Sequence, residues 1–165
     1  MSTSAQRRPL ARRMQAAAMR LVNVPMRRVL GAPSPTPLGR RLMLATITGR
    51  RTGRIYRQPL SYVQDGDVLL TPGGGRWTLN LEGGPTVPIR LRGRDVAARP
   101  ELISDPEEVQ LLLARIGAAN PGAKRFIAIP TDASGRFDQT QLQAAIRHGF
   151  RIVRWHPAPG EPQAF

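Results

Sequence analysis

Apolar residues follow two different periods along this chain. Near its start, Leu10, Met14, Ala17, Ala18 and Leu21 recur at helical spacing within residues 9–24, with Arg12, Arg13 and Arg20 among them. Pro25 ends that run, a further turn is expected over 26–30, and the proline-rich residues 31–37 predict a stiff, extended linker. From Leu42 the period shortens. Residues 42–48 are apolar and β-branched, and 55–63 and 68–71 flank an Asp65-Gly66 hairpin signal. Over 86–92, Val87, Ile89 and Leu91 alternate with Thr86, Pro88, Arg90 and Arg92, and Gly93-Arg94 turns that strand into 95–99. Pro59 and Pro88 cannot donate ladder hydrogen bonds, which predicts edges or bulges there.

Further on, the period lengthens again. Asp105 as N-cap, Pro106 at the first helical position and Glu108 closing a capping box predict a helix start. Val109, Leu112, Leu113 and Ile116 supply its apolar stripe, and Gly117 is its expected stop. A short strand is expected at 126–129, a helix over 140–148 ending at Gly149, and a last strand over 150–155. Hairpins from one continuous chain with a few helices around them predict a mainly β (α+β) fold, a small barrel. Residues 1–37 read as a basic helix plus linker, 38–156 as the barrel domain, and 157–165 as a tail.

Charge changes this picture. The chain has 165 residues, with 25 basic against 11 acidic for a net charge of +14. The first 64 residues hold 13 arginines and no acid, so the excess is concentrated there. Such asymmetry points to an anionic partner: a small polyanion, an acidic membrane surface met through residues 9–30, or nucleic acid. Against nucleic acid, Tyr56 is the sole aromatic residue in 1–57, so base-stacking platforms are lacking. There is no cysteine, which excludes disulfides, thiolate metal sites and cysteine nucleophiles. His148, at a helix end, reads as a cap, and His156, before Pro157, as part of the tail. No metal is expected, and no paired carboxylates suggest acid–base work. No apolar run reaches the ~18 residues of a membrane span and no signal sequence is visible, which predicts a cytoplasmic protein, membrane-associated at most.

Two stretches could carry chemistry. In Thr48-Gly49-Arg50-Arg51-Thr52-Gly53-Arg54, glycines allow close backbone approach and three arginines offer forks for phosphate or carboxylate. It lacks the Gly-Lys-Ser/Thr ending of a Walker loop. In Gly73-Gly74-Gly75-Arg76-Trp77-Thr78-Leu79-Asn80-Leu81, the glycines expose backbone N–H groups to an anion or a carbonyl edge, and Asn80 is a polar handle nearby.

Taken in order, these motifs resemble the deazaflavin-dependent nitroreductase family, the A group of flavin/deazaflavin oxidoreductases. The resemblance rests on Thr48-Gly49-Arg50-Arg51-Thr52-Gly53, Pro59-Leu60, Asp65-Gly66, Gly73-Gly74, Trp77, Asn80-Leu81 and Pro85. It implies a split β-barrel of the FMN-binding kind and coenzyme F420 as hydride carrier, with FMN as second choice. It also implies cofactor contacts at Arg50, Arg51, Thr52, Gly53, Arg54, Gln58, Pro59, Gly73, Gly74, Gly75, Trp77 and Asn80. The acceptor would be a quinone, an activated alkene or a nitroaromatic, protonated by solvent, Tyr56, Ser61 or Tyr62. Two departures stand out. Arg76 alone separates Gly75 from Trp77, where family members carry several more residues, and Ser61 stands where the characterised type has a tyrosine. The alternatives are a basic nucleic-acid-binding protein, or a split-barrel relative that takes flavin or haem or has lost cofactor binding.

Overall fold

The computed structural model describes residues 25–31, 37–127 and 129–159. The helix expected over 9–24, and with it most of the basic segment 9–30 expected to meet an anionic surface, lies outside them, as does the end of the tail. Seven antiparallel strands form one sheet: β1 (Leu42–Thr48), β2 (Ile55–Ser61), β3 (Val63–Asp65), β4 (Val68–Gly73), β5 (Val87–Leu91), β6 (Arg94–Ile103) and β7 (Arg151–Pro157). Their spatial order is β2-β1-β5-β6-β7-β4-β3. The two edges, β2 and β3, are consecutive in the chain with Tyr62 alone between them, so the sheet must curl until its edges meet. Pairing between β1 and β5 narrows to Leu44↔Arg90 and Ala45↔Ile89, which leaves the barrel split.

Strand alternation sorts side chains into two cores. Met43, Ala45, Ile47, Val87, Ile89, Val153 and Trp155 point inward, with Leu81 as a plug. Trp155 donates its indole N–H to Thr71 Oγ1 at 3.2 Å inside that core. On the outer face, Leu70, Ile103 and Ile152 meet α1 (Pro106–Ala119) and α2 (Gln139–Arg147) through Val109, Leu112, Leu113, Ile116 and Leu142. At the closure, the Tyr62 hydroxyl donates to the Gly39 carbonyl at 2.9 Å and accepts from Arg92 Nε at 3.3 Å. Arg92 (φ 52°) and Gly93 (φ 82°) make the β5–β6 turn, one residue earlier than the sequence suggests, with the positive φ values a two-residue hairpin requires. Residues 25–30 are helical, and the segment docks through buried Leu30 and a 2.6 Å bond from Arg90 Nη1 to the Gly31 carbonyl.

Several sequence expectations are corrected. Gly117 does not stop α1: a helical glycine costs only about 1 kcal/mol, less than burying Ile116 and Leu113 gains, so the helix runs to Ala119 before Asn120-Pro121. Among the described residues of 126–129 no strand forms. Pro121–Phe126 is a 3-10 helix instead, and Ile127 and Ile129 are apolar because they pack into the outer core. Pro88 sits in an interior strand, at the point where the ladder to β1 stops, so its missing N–H costs no bond. The capping box is half made: Asp105 accepts from the Glu108 N–H at 2.9 Å, but the Glu108 carboxylate turns to Arg154. His156 belongs to β7 rather than to a tail, with its backbone in register opposite Arg99.

Candidate functional site

The arginine-rich turn is a tight hairpin between β1 and β2. Gly53 N donates to the Gly49 carbonyl at 2.7 Å and Gly49 N to the Arg54 carbonyl at 2.8 Å. The Thr52 hydroxyl accepts from Arg54 N at 3.3 Å, so its role is to shape the turn. Glycine at 49 gives the turn room, since a Cβ would lie 2.9 Å from the Tyr56 ring and 3.3 Å from the Arg54 carbonyl oxygen. Arg50, Arg51 and Arg54 are exposed, and the Arg54 guanidinium stands 5.7 Å from the centre of the Tyr56 ring.

This turn docks on the second motif. Arg50 N donates to Asn80 Oδ1 at 3.1 Å, and Arg50 Nη1 pairs with Glu82 Oε2 at 2.5 Å. The two stretches singled out in the sequence are thus in direct contact, and Glu82, which the sequence reading passed over, adds an ion pair beside them. Within the glycine run the roles divide. A Cβ on Gly73 would lie 2.7 Å from the Trp77 ring, and one on Gly74 would touch Phe150 at 3.7 Å. Gly73 therefore makes room for Trp77, which packs against the inner core, while Gly75 (φ 94°) turns the chain into the 3-10 helix Thr78–Leu81. Gln58 and Pro59 lie in edge strand β2, half-buried, with Gln58 Nε2 donating to the Pro59 carbonyl at 3.4 Å. Ser61 ends β2 opposite Leu42, and Tyr62 is buried at the barrel closure.

Two cavities flank this segment. The larger, about 540 Å³, has Leu81, Pro100 and Leu102 as apolar walls, Gly83 and Gly84 at its rim, and Glu82, Arg99, Glu101 and His156 as charged or titratable lining. The smaller, about 250 Å³, lies between Gly75, Arg76, Leu79 and Arg151 and shares Glu82 and Leu102 with the first. Glu82, the partner of Arg50, is thus a wall of both. The Gly83-Gly84 pair, both at positive φ, is the signal in the sequence that would have pointed here.

Part of the larger cavity's lining, Arg99, Glu101 and His156, belongs to a charged ladder on β6 and β7. Registers Arg99↔His156 and Glu101↔Arg154 set four polar side chains side by side on the outer face. Glu101 Oε2 accepts from His156 Nε2 at 2.9 Å and from Arg154 Nη1 at 3.1 Å, and Arg154 Nη2 reaches Glu108 Oε1 at 2.7 Å. The hydrogen bond from His156, reinforced by Arg154, holds the Glu101 carboxyl below its ordinary value against partial desolvation. His148 is the C-cap of α2, its Nδ1 2.6 Å from the Ala144 carbonyl. Among the described residues no helix is long and apolar enough to cross a membrane, and no three His, Asp or Glu side chains cluster as a metal site needs.

Comparison with known proteins places the chain. No curated protein sequence matches it. A protein of unknown function from Agrobacterium tumefaciens is 17% identical with a TM-score of 0.51, covering 79% of this chain and 53% of that one, a likeness of fold alone. An F420-H2 dependent reductase (FDR-A) is 16% identical with a TM-score of 0.48, covering 70% of this chain and 94% of the other. HutZ, the haem storage protein from Vibrio cholerae, is 15% identical with a TM-score of 0.44, covering 73% and 84%. The sequence pattern of the F420H(2)-dependent quinone reductases matches residues 13–131, most of the chain, and the chain belongs to that family of oxidoreductases.

Proposed function

We propose that this F420H2-dependent reductase delivers a hydride to a flat, largely apolar acceptor (a quinone, an activated alkene or a nitroaromatic), and that Arg50, Arg51 and Arg54 grip the anionic tail of its cofactor. The residues present fit such a group. Three guanidinium groups share one short turn, and Arg50 pairs with Glu82, which lines the cavity whose apolar walls are Leu81, Pro100 and Leu102. When bound, reduced F420 supplies a hydride, two electrons at once. The protein's part is to bind and orient. Arginine forks take phosphate or carboxylate oxygens, Asn80 fixes the backbone of Arg50, and the apolar walls exclude water and align a planar acceptor. Gly75 and the Gly83-Gly84 turn are where backbone can approach a ring most closely.

What carries this reading is the contact from Arg50 to Glu82, which joins the cationic turn to the wall of both cavities. Titrating F420 against wild type and the Arg50→Ala/Arg51→Ala double variant, by tryptophan quenching and cofactor fluorescence, tests it. The double variant should lose at least about 2 kcal/mol, roughly 30-fold in affinity, since charge-assisted bonds contribute about 1.5–3 kcal/mol each. FMN titrated in parallel should bind more weakly than F420. Equal affinity of both proteins for F420 overturns the assignment of the turn.

A further inference from the structure

We propose that His156, held by Glu101, is the group that protonates the reduced acceptor in the larger cavity. This inference rests on the functional reading above and adds a residue that no local sequence pattern marks. An acceptor that takes up a hydride is left as an anion and needs a proton, and a positioned acid is the efficient source. The hydroxyl residues first considered are poorly sited for it. Neither cavity is lined by Tyr56, Ser61 or Tyr62, and the Tyr62 hydroxyl is engaged with Gly39 and Arg92 in the barrel closure.

His156 lines the larger cavity and is its one side chain of the type that changes charge near neutral pH. Its ring is fixed through Nε2, which donates to the Glu101 carboxylate at 2.9 Å. Glu101 is fixed in turn by Arg154, and Arg154 by Glu108 at the start of α1. Among the described residues Nδ1 has no partner, so it is the nitrogen free to meet a substrate. The charged groups around the imidazole are Arg99 and Glu101 on β6, Arg154 on β7, Glu82 on the turn above and Glu108 on α1. Because its neighbours keep Glu101 ionised, that carboxylate orients the imidazolium and does not take the proton.

The balance is simple. The cofactor's hydride brings both electrons to the acceptor, the imidazolium Nδ1–H bond breaks, and the proton joins the acceptor's oxygen or carbon. Neutral imidazole remains. The side chain is 48% exposed, so water reprotonates it before the next turnover.

The experiment uses wild type, His156→Gln and Glu101→Gln, with menadione as acceptor, and reads F420 affinity, kcat and the pH dependence of kcat. F420 affinity without acceptor should stay within about threefold of wild type in both variants. In wild type, kcat should fall as pH rises through one ionisation; in His156→Gln it should drop about 100-fold and lose that limb, as loss of a general acid does. In Glu101→Gln the ring loses the carboxylate that fixes it, so kcat should fall about tenfold with the pH limb retained. Wild type that binds no F420 overturns the functional reading and this inference with it. Normal F420 binding by His156→Gln together with an unchanged kcat and pH limb overturns the inference alone, as does a kcat in Glu101→Gln equal to that of wild type.

Discussion

At the scale of single residues, Glu82 is the side chain that the sequence concealed and the fold makes central. Arg50 and Glu82 are each about half exposed, 52% and 47%, so their pairing adds at most about 1 kcal/mol to stability. Its larger effect is on binding, since Glu82 competes for the guanidinium that the cofactor's anionic tail would use. Glu82→Gln should therefore tighten F420 binding by about three- to fivefold, less at high salt, and change stability by less than about 1 kcal/mol. Fluorescence titration beside wild type checks this; weaker binding in Glu82→Gln would instead make Glu82 the residue that aims Arg50. The cations of this site were legible because they are adjacent in the chain, within Gly49–Arg54. The counterion of Arg50 lies 32 residues away and carries no local pattern, so only the docking of two loops exposes it.

Among the elements, the start of α1 has a role beyond the helix. Asp105 caps it at Glu108 N, which frees the Glu108 side chain to anchor Arg154 and, through Arg154, Glu101. Asp105→Ala should cost about 1 kcal/mol, read as a lower urea midpoint with unchanged slope, and Asp105→Asn should restore most of it. A midpoint that does not move in Asp105→Ala would mean that docking of Val109, Leu112 and Leu113 alone fixes the helix start. This cap was readable in Asp105-Pro106-Glu107-Glu108, as were the alternation of β5 and the hairpin at Asp65-Gly66, because each signal is confined to a few neighbours. The elements misread are those where tertiary packing overrides the local signal. Gly117 is carried inside a docked helix, Ile127 and Ile129 are apolar without being a strand, and Pro88 is tolerated inside the sheet by an interrupted ladder. The extension of β7 through His156 had no local signature either. It follows from pairing with β6 some 55 residues earlier, and that pairing builds part of the cavity's lining.

For the molecule as a whole, acid stability follows from three exposed carboxylates that bind cations or donors across separate parts of the fold. Asp95 is held below its ordinary value chiefly by its hydrogen bonds from Arg90, Glu101 by those from His156 and Arg154, and Asp132 by those from Ser134 and from the backbone of Arg136. A carboxyl with a depressed folded pKa binds protons more weakly in the native state than in the unfolded one. Its contribution is fully present above the unfolded value, near 4, and is lost as pH falls through the lower folded value. Protonation also removes the few negative charges opposing a net +14, so self-repulsion grows in the same direction. The urea midpoint should therefore be flat from about pH 8 to pH 5 and fall steadily below about pH 4. Each pair lies at the surface, where salt screens it, so the fall should be gradual, and Asp95→Asn should make it shallower, because that variant cannot lose the Arg90 contact on acidification. A midpoint that stays level down to pH 2.5, or an Asp95→Asn curve that tracks wild type throughout, would show that these contacts do not link proton binding to folding.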